Sequence, residues 1–378
     1  MNVSHRLIAI LFLVPLLVSA EGQKGARYGG YVLAEDGASE AVAAQLNLAM
    51  MKLFAETFSD PEIHDVWLPL ELRFDAGQLR KRDRSRAQKH FDEMFRRMAK
   101  GEFDEAYEQV FRAQRFARRS FPYSMDFKLF AEILYYRSRV DEGKGEMEAA
   151  KDSYCTYLYL MSNLSRSSVS VGQKLPDLKA CKAGDETGEL VVSAKLDGGV
   201  VFLDGTPVGT VSKNVPYAAP FLARGIHFVE VRKPGFARWG EVVEVKPGKS
   251  IKKRARLKRP RSGVNERELQ PLEGIILSGS EKSDQSYVQD LLFQYSQQVG
   301  VDVFVLGKVV RRSGEKLQLD LLRYDAMGLK TVSVPFDANG FEFELVMLSA
   351  LRQLDISVRS VSNTTPREDV GFLFFKVK

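Results

Sequence analysis

Histidine and cysteine are scarce in this sequence, which has four histidines and two cysteines among 378 residues. No two of His64, His90 and His227 stand at the spacing of a metal-binding pair, and the chain contains neither an HExxH nor a CxxC motif. The sequence therefore predicts no metal centre and no bound cofactor.

Other signatures of catalysis are missing too. No Walker-type or dinucleotide-binding glycine loop occurs, and the run ILSGS lacks the flanking glycines of a nucleophile elbow. The acidic pairs Asp92-Glu93 and Asp104-Glu105 lie on predicted amphipathic helices, where solvated carboxylates are usual. His227 follows a glycine turn on a predicted strand with nothing nearby to polarise it, so we expect a structural role for it. The sequence predicts that the protein is not an enzyme.

Only one apolar run approaches the length of a membrane helix. It extends from Leu7 to Val18, whereas a bilayer core requires about 20 residues. His5-Arg6 precedes the run and Val18-Ser19-Ala20 follows it, a pattern typical of a signal peptide cleaved before Glu21. The alternative is an uncleaved anchor. We expect an exported, periplasmic protein whose mature chain has no integral membrane segment.

Acidic residues are missing from one strongly basic stretch. Residues 252–261 hold seven bases and no acid, and residues 73–119 hold fourteen bases against eight acids, within a chain of net charge +6. An exported protein does not ordinarily meet DNA, so no nucleic-acid partner is expected. The plausible anionic partners are membrane headgroups, peptidoglycan or other envelope polymers, and acidic proteins.

The basic stretch around residue 254 has the alternation of a strand. In an extended chain, four of its bases share one face. Such a cationic face suits phosphate or sulfate groups. The alternative is an edge strand that charge protects from aggregation. The four candidate anion-binding residues are Lys252, Arg254, Arg256 and Lys258.

The two cysteines are Cys155 and Cys181. An oxidising compartment permits a disulfide between them, which would restrain the long linker that separates them. The alternative is that both are small buried hydrophobic side chains. We predict the disulfide.

Residues 28–74 read as strand, helix and strand, and residues 85–162 as helices throughout. Within the helical part, KGEFDEAYEQV from Lys100 and KGEMEAAKDSY from Lys144 repeat one pattern. A glycine ends one helix, an apolar residue starts the next two residues later, and a small alanine follows after three more. These steps resemble the second half of a tetratricopeptide repeat, although the spacing is 44 rather than 34 residues. An ordinary helical bundle is the alternative.

The second helical hairpin is rich in tyrosine. Five tyrosines cannot all be buried in a seam between two helices, and tyrosine is favoured at protein interfaces. They therefore predict a docking surface for a protein partner, unless the N-terminal α/β segment covers them. The candidates are Tyr135, Tyr136, Tyr157 and Tyr159, with Tyr154 turned toward the neighbouring helix.

From Gly188 the apolar pattern changes to a period of two, and glycine and proline occupy the gaps. Four short motifs punctuate this segment: Asp204-Gly205, Val208-Gly209, Gly225-x-His227 and Lys233-Pro234-Gly235-Phe236. This segment resembles the PEGA domain, a small bacterial β-sandwich. The motif that names that family is degraded here to LDGG, residues 196–199. The resemblance implies a spacer or adhesive module.

Residues 272–356 read as β-α-β-β-β-α. The stretch from GVDVFVLGKVV to LLRYDAMG is similar to small α/β domains of periplasmic envelope proteins, such as the N-terminal domain of TolB. That resemblance implies contacts with partners in an envelope complex.

Together these features predict a multi-domain α+β protein with an N-terminal α/β segment and helical hairpins, a central all-β sandwich and a small C-terminal α/β domain. The expected divisions are signal peptide 1–20, strand-helix-strand 21–75, helical hairpins 76–162, linker 163–187, sandwich 188–258, linker 259–271, α/β domain 272–357 and tail 358–378.

The expected function is a non-enzymatic periplasmic scaffold for transport, surface assembly or motility, in a bacterium with an outer membrane. The alternative is a protein that binds or senses peptidoglycan or another envelope glycan. Glycan binding normally uses planar rings on one face, and Tyr217, Phe236 and Trp239 are the candidates for it in the sandwich.

Overall fold

The computed structural model describes residues 27–35, 40–57, 75–124, 126–166, 181, 186–259, 285–338 and 342–358. Several predicted elements lie outside these ranges. They are the signal peptide, the second N-terminal strand, the first strand of the C-terminal domain, most of both linkers and nearly all of the tail.

The described ranges form an α+β fold of seven helices and eleven strands. The helices are α1 (Glu40–Thr57), α2 (Asp75–Met98), α3 (Phe103–Ser120), α4 (Phe127–Gly143), α5 (Met147–Arg166), α6 (Gln285–Val299) and α7 (Phe343–Gln353). The strands are β1 (Tyr28–Ala34), β2 (Thr187–Ala194), β3 (Gly199–Leu203), β4 (Thr206–Val211), β5 (Tyr217–Ala223), β6 (Gly225–Arg232), β7 (Trp239–Val245), β8 (Ser250–Ala255), β9 (Val303–Ser313), β10 (Lys316–Asp325) and β11 (Gly328–Asp337).

The N-terminal strand and the C-terminal strands form one sheet, in the order β1-β9-β10-β11. β1 runs parallel to β9, with Tyr28 opposite Val303 and Ala34 opposite Val309. The backbones approach so closely that a Cβ on Gly30 would lie 2.2 Å from the Val305 carbonyl oxygen. The division that set residues 21–75 apart from residues 272–357 is therefore wrong, because strand pairing joins the two segments into one α/β unit.

This sheet is covered on both faces. On one face α1 and α7 pack against β9 and β10, and on the other face α6 packs against alternate residues of the same strands. Val305 thus points toward α1, whereas Phe304 points toward α6. Burial on both faces explains why β9 begins as a nearly unbroken apolar run.

The central helices form two hairpins, α2 with α3 and α4 with α5. A glycine of positive φ lies in each turn, Gly101 at 75° and Gly145 at 79°, a conformation that glycine adopts without strain. The second helices begin at Phe103 and Met147, the positions that the repeated pattern predicts. Ala106 and Ala150 are both buried, which lets the paired helices approach closely.

The sandwich consists of a three-stranded sheet β5-β2-β8 and a four-stranded sheet β4-β3-β6-β7. Asp204 and Gly205 turn the hairpin between β3 and β4 with φ values of 51° and 84°, as a tight hairpin turn requires. β5 contains Pro220 in its middle. β5 is an edge strand among the described residues, the place in a sheet where proline is tolerated.

Both neighbours of the sandwich dock on its four-stranded sheet. α1 packs its Ala44 and Leu48 against Val200 and Phe202, while its opposite side belongs to the core of the α/β unit. The helical hairpins cover Ile226 and Phe228 of β6. The two central strands of this sheet, β3 and β6, are thus buried over nearly their whole length.

Candidate functional site

Four tyrosines of the second helical hairpin form a continuous group, which we call the tyrosine cluster: Tyr135, Tyr136, Tyr154 and Tyr157. The ring of Tyr135 lies at its centre. Its centroid is 5.0 Å from that of Tyr136, 5.4 Å from that of Tyr157 and 6.4 Å from that of Tyr154. All four side chains are partly exposed. α4 and α5 therefore present these rings together at one surface.

Two phenylalanines of α2 extend the cluster. The ring of Phe95 lies 4.6 Å from that of Tyr136, and Phe91 lies 5.7 Å from it, both in edge-to-face arrangements. Phe95 is 39% exposed. We call these six side chains the aromatic surface. Its α2 part was not predicted from the sequence, although the four-residue spacing of Phe91 and Phe95 is a usable signal.

The surroundings of Tyr157 disfavour ionisation of its phenol. Burial raises its pKa above the ordinary value, and the neighbouring Tyr154, Tyr135 and Glu132 raise it further. A neutral phenol combines an apolar ring with a hydroxyl that can both donate and accept a hydrogen bond. The cluster thus has the chemistry of an interface anchor.

Tyr159 does not belong to this surface, which corrects its grouping with the other tyrosines. Tyr159 faces the sandwich. A Cβ added to Gly225 of β6 would lie only 2.7 Å from the Cβ of Tyr159. The guanidinium of Arg224 lies 5.3 Å from the centre of its ring. Tyr159 therefore contributes to the contact between α5 and the sandwich.

A disulfide joins Cys155 of α5 to Cys181, with their Cα atoms 5.6 Å apart. Cys181 is buried. The bond ties the chain that leads into the sandwich to the middle of α5. The described residues contain no free cysteine.

The predicted anion-binding residues share the exposed side of β8 and its continuation. Lys252, Arg254, Arg256 and Lys258 are all exposed, whereas Ala255 is buried. Within the described residues β8 is an edge strand, paired only with β2. The structure therefore places these four bases together at the exposed edge of the three-stranded sheet.

His227 is buried, and the Asp204 carboxylate lies beside its ring, where no polarising neighbour was expected from the sequence. Its Nδ1 lies 2.7 Å from Asp204 Oδ2 and its Nε2 lies 2.7 Å from the Ala223 carbonyl oxygen. Asp204 also accepts a hydrogen bond from the backbone N–H of Phe228, and the Asn163 amide of α5 lies beside the ring. These contacts join the β3–β4 turn, β6 and α5. They supply no nucleophile.

A second buried network lies on the outer side of β6. Glu230 receives hydrogen bonds from Arg232 at 2.8 Å and from Arg238 at 3.0 Å, and the Glu230 and Arg238 side chains are each 1% exposed. The Arg232 guanidinium lies 3.9 Å from the centre of the Phe202 ring. Through Arg232 and Phe202, this network lies beside the contact of the sandwich with α1.

The three candidate glycan-binding rings do not form a platform. Tyr217 and Trp239 pack against the core of the sandwich, and burial raises the pKa of Tyr217 to about 12. Phe236 lies between two cations, 5.1 Å from Lys233 Nζ and 5.4 Å from the Arg259 guanidinium carbon. No common face for stacking on a sugar results from this arrangement.

Among the described residues, no group of three or more His, Cys, Asp or Glu side chains is arranged to hold a metal ion. In those same ranges, no helix is long and apolar enough to cross a membrane.

Comparison with known proteins gives one family. The family model described as the PEGA domain matches residues 187–261, about a fifth of the chain, and this range contains the whole sandwich. No curated protein and no solved structure matches the chain significantly. The LDGG segment, where the family motif is degraded, contacts the start of α1. A Cβ on Gly198 would lie 2.6 Å from the Glu40 carbonyl oxygen at the start of α1.

Proposed function

We propose that the protein is a non-enzymatic scaffold or adaptor of the bacterial cell envelope, exported by a cleaved signal peptide to the periplasm. In this proposal it binds other envelope proteins through the aromatic surface. The observation that supports the proposal is that six aromatic side chains from three helices meet at one place, where Phe91 is buried and the other five are at least partly exposed. Tyrosine and phenylalanine are enriched in the centres of protein interfaces.

The way the units are joined supports this role. A scaffold must hold its binding surfaces in a fixed relation, and here the sandwich contacts both the helical hairpins and α1. The likeness of the hairpins to tetratricopeptide repeats also favours protein binding, because stacked helical hairpins present extended binding surfaces. The disulfide suits an oxidising compartment such as the periplasm.

Affinity purification with chemical crosslinking, in the organism that makes the protein, tests the proposal. We expect the wild-type protein to capture one or more envelope proteins and Phe95→Ala to capture them at least about tenfold less well, as expected of an interface anchor. Phe111→Ala is the matched control, because Phe111 is 53% exposed on the adjoining α3 and is not part of the aromatic surface. Equal capture by both variants would contradict the proposal.

A further inference from the structure

A cavity of about 290 Å³ opens where the parallel strands β2 and β8 end side by side. Ser193 pairs with Arg254 and Ala194 with Ala255, so the residues that follow both strands emerge together. Lys195 and Leu196 line the cavity from β2, and Arg254, Arg256 and Leu257 line it from β8. The cavity thus combines three cations with two leucine and two alanine side chains.

The three cations have no acidic partner within the described residues. Lys195, Arg254 and Arg256 are exposed and make no ion pair there. Lys253 makes a useful contrast, because it directly precedes Arg254 in sequence, points to the other side of β8 and is paired with Glu241. Among the described residues, acid and base are therefore matched on one side of the strand and unmatched at the cavity.

Protection of an edge strand does not explain this arrangement. That need is met by charge along the edge itself, most often lysine. Lys195 instead extends from β2, the middle strand of its sheet, and the cavity bases on β8 are arginines. Arginine presents a planar fork of donors that matches the oxygens of a phosphate group.

We propose that this cavity binds a phosphate group, carried by a soluble molecule or by a lipid head. Arg254 and Arg256 donate to its oxygens, Lys195 adds charge from the opposite wall, and Leu196 and Leu257 contact the substituent that bears the phosphate. The cavity lies at the small end of the range for ligand sites, so the bound part is about the size of a sugar phosphate. This inference goes beyond the scaffold role and does not depend on it.

Calorimetric titration with inorganic pyrophosphate tests the site in the whole mature chain. We expect binding that weakens as salt is added, because exposed charges are screened. In the double variant Arg254→Gln and Arg256→Gln, affinity should fall at least about tenfold, since two charge-assisted donors are lost. The matched control is Arg82→Gln with Arg115→Gln, two exposed bases of the helical hairpins, and it should bind as the wild type does.

Sedimentation with lipid vesicles then shows whether the phosphate belongs to a lipid or to a soluble molecule. If the wild type also sediments with phosphatidylglycerol vesicles, but not with phosphatidylcholine vesicles, and the double variant does not, the group is a lipid head. If it ignores both vesicles, the group is soluble. Absence of pyrophosphate binding, or equal weakening in the double and control variants at unchanged melting temperature, would overturn the proposal. Capture of proteins by the aromatic surface is measured separately, so either proposal can fail alone.

Discussion

The ring of Phe228 in the sandwich meets the ring of Phe127 in α4 edge to face, with the centroids 4.8 Å apart. Phe121 and Phe130 also lie close to Phe228, at 5.3 and 5.2 Å. A strand of the sandwich therefore inserts an aromatic side chain into the core of the helical hairpins. The two units share a core at this point and should unfold together.

Replacement of Phe228 by alanine tests that shared core. The side chain is 3% exposed, so we expect its loss to cost about 3–5 kcal/mol of unfolding free energy, as for other buried aromatic side chains. Urea unfolding measures the change. Phe221→Ala in β5 is the control, because that ring is 64% exposed and should cost less than about 0.5 kcal/mol. Similar losses in both variants would contradict the shared core.

Glu230→Gln should destabilise the protein strongly. The substitution removes the carboxylate that neutralises the buried Arg238, and breaking such a pair costs about 3–5 kcal/mol. Glu108→Gln is its counterpart at the surface, where the pair with Arg112 is exposed and should contribute less than about 1 kcal/mol. Urea unfolding again distinguishes the two, and a near-neutral Glu230→Gln would show that the network has little structural importance.

The buried phenol of Tyr217 predicts a loss of stability at high pH. Burial raises its pKa from 10.0 to about 12 in the folded chain. Between these values the unfolded chain loses the proton while the folded chain keeps it, so stability falls as the pH rises from 10 toward 12. The fall should be smaller in Tyr217→Phe than in the wild type. Parallel pH dependences in the two proteins would refute this assignment.

The disulfide between Cys155 and Cys181 should be present in protein isolated from its native compartment. Alkylation of the unfolded, unreduced chain followed by mass measurement should detect no free thiol. Reduction should lower the unfolding free energy by about 3 kcal/mol, the order expected for a closed loop of this length. Two alkylated cysteines in freshly isolated protein would contradict the bond.

The sequence predicted those turns and helix starts that depend on residues adjacent in the chain. The turn at Asp204-Gly205 follows from its residue types, and the helix starts at Phe103 and Met147 follow from the glycines before them. The alternation of bases along β8 likewise predicted that Lys252 and Arg254 share a face. In each of these cases the decisive residues are neighbours in sequence.

Long-range pairing and packing could not be predicted in the same way. Tyr28 of β1 pairs with Val303 of β9. The apolar periodicity of a strand does not indicate which distant strand it will pair with. The sequence of the helical hairpin does not reveal what Tyr159 contacts, because its neighbour Gly225 lies in the sandwich, far away in sequence. The cavity beside Arg254 depends on Lys195, which only the parallel pairing of β2 with β8 brings near.

A photo-reactive amino acid placed at position 95 tests the central claim most directly. The position lies on the aromatic surface and is partly exposed, so substitution there should leave the fold intact. Irradiation of living cells should crosslink the protein to a distinct envelope protein from position 95 and not from the control position 111. Crosslinks from position 111 alone, or none from position 95 in correctly exported and folded protein, would contradict the account.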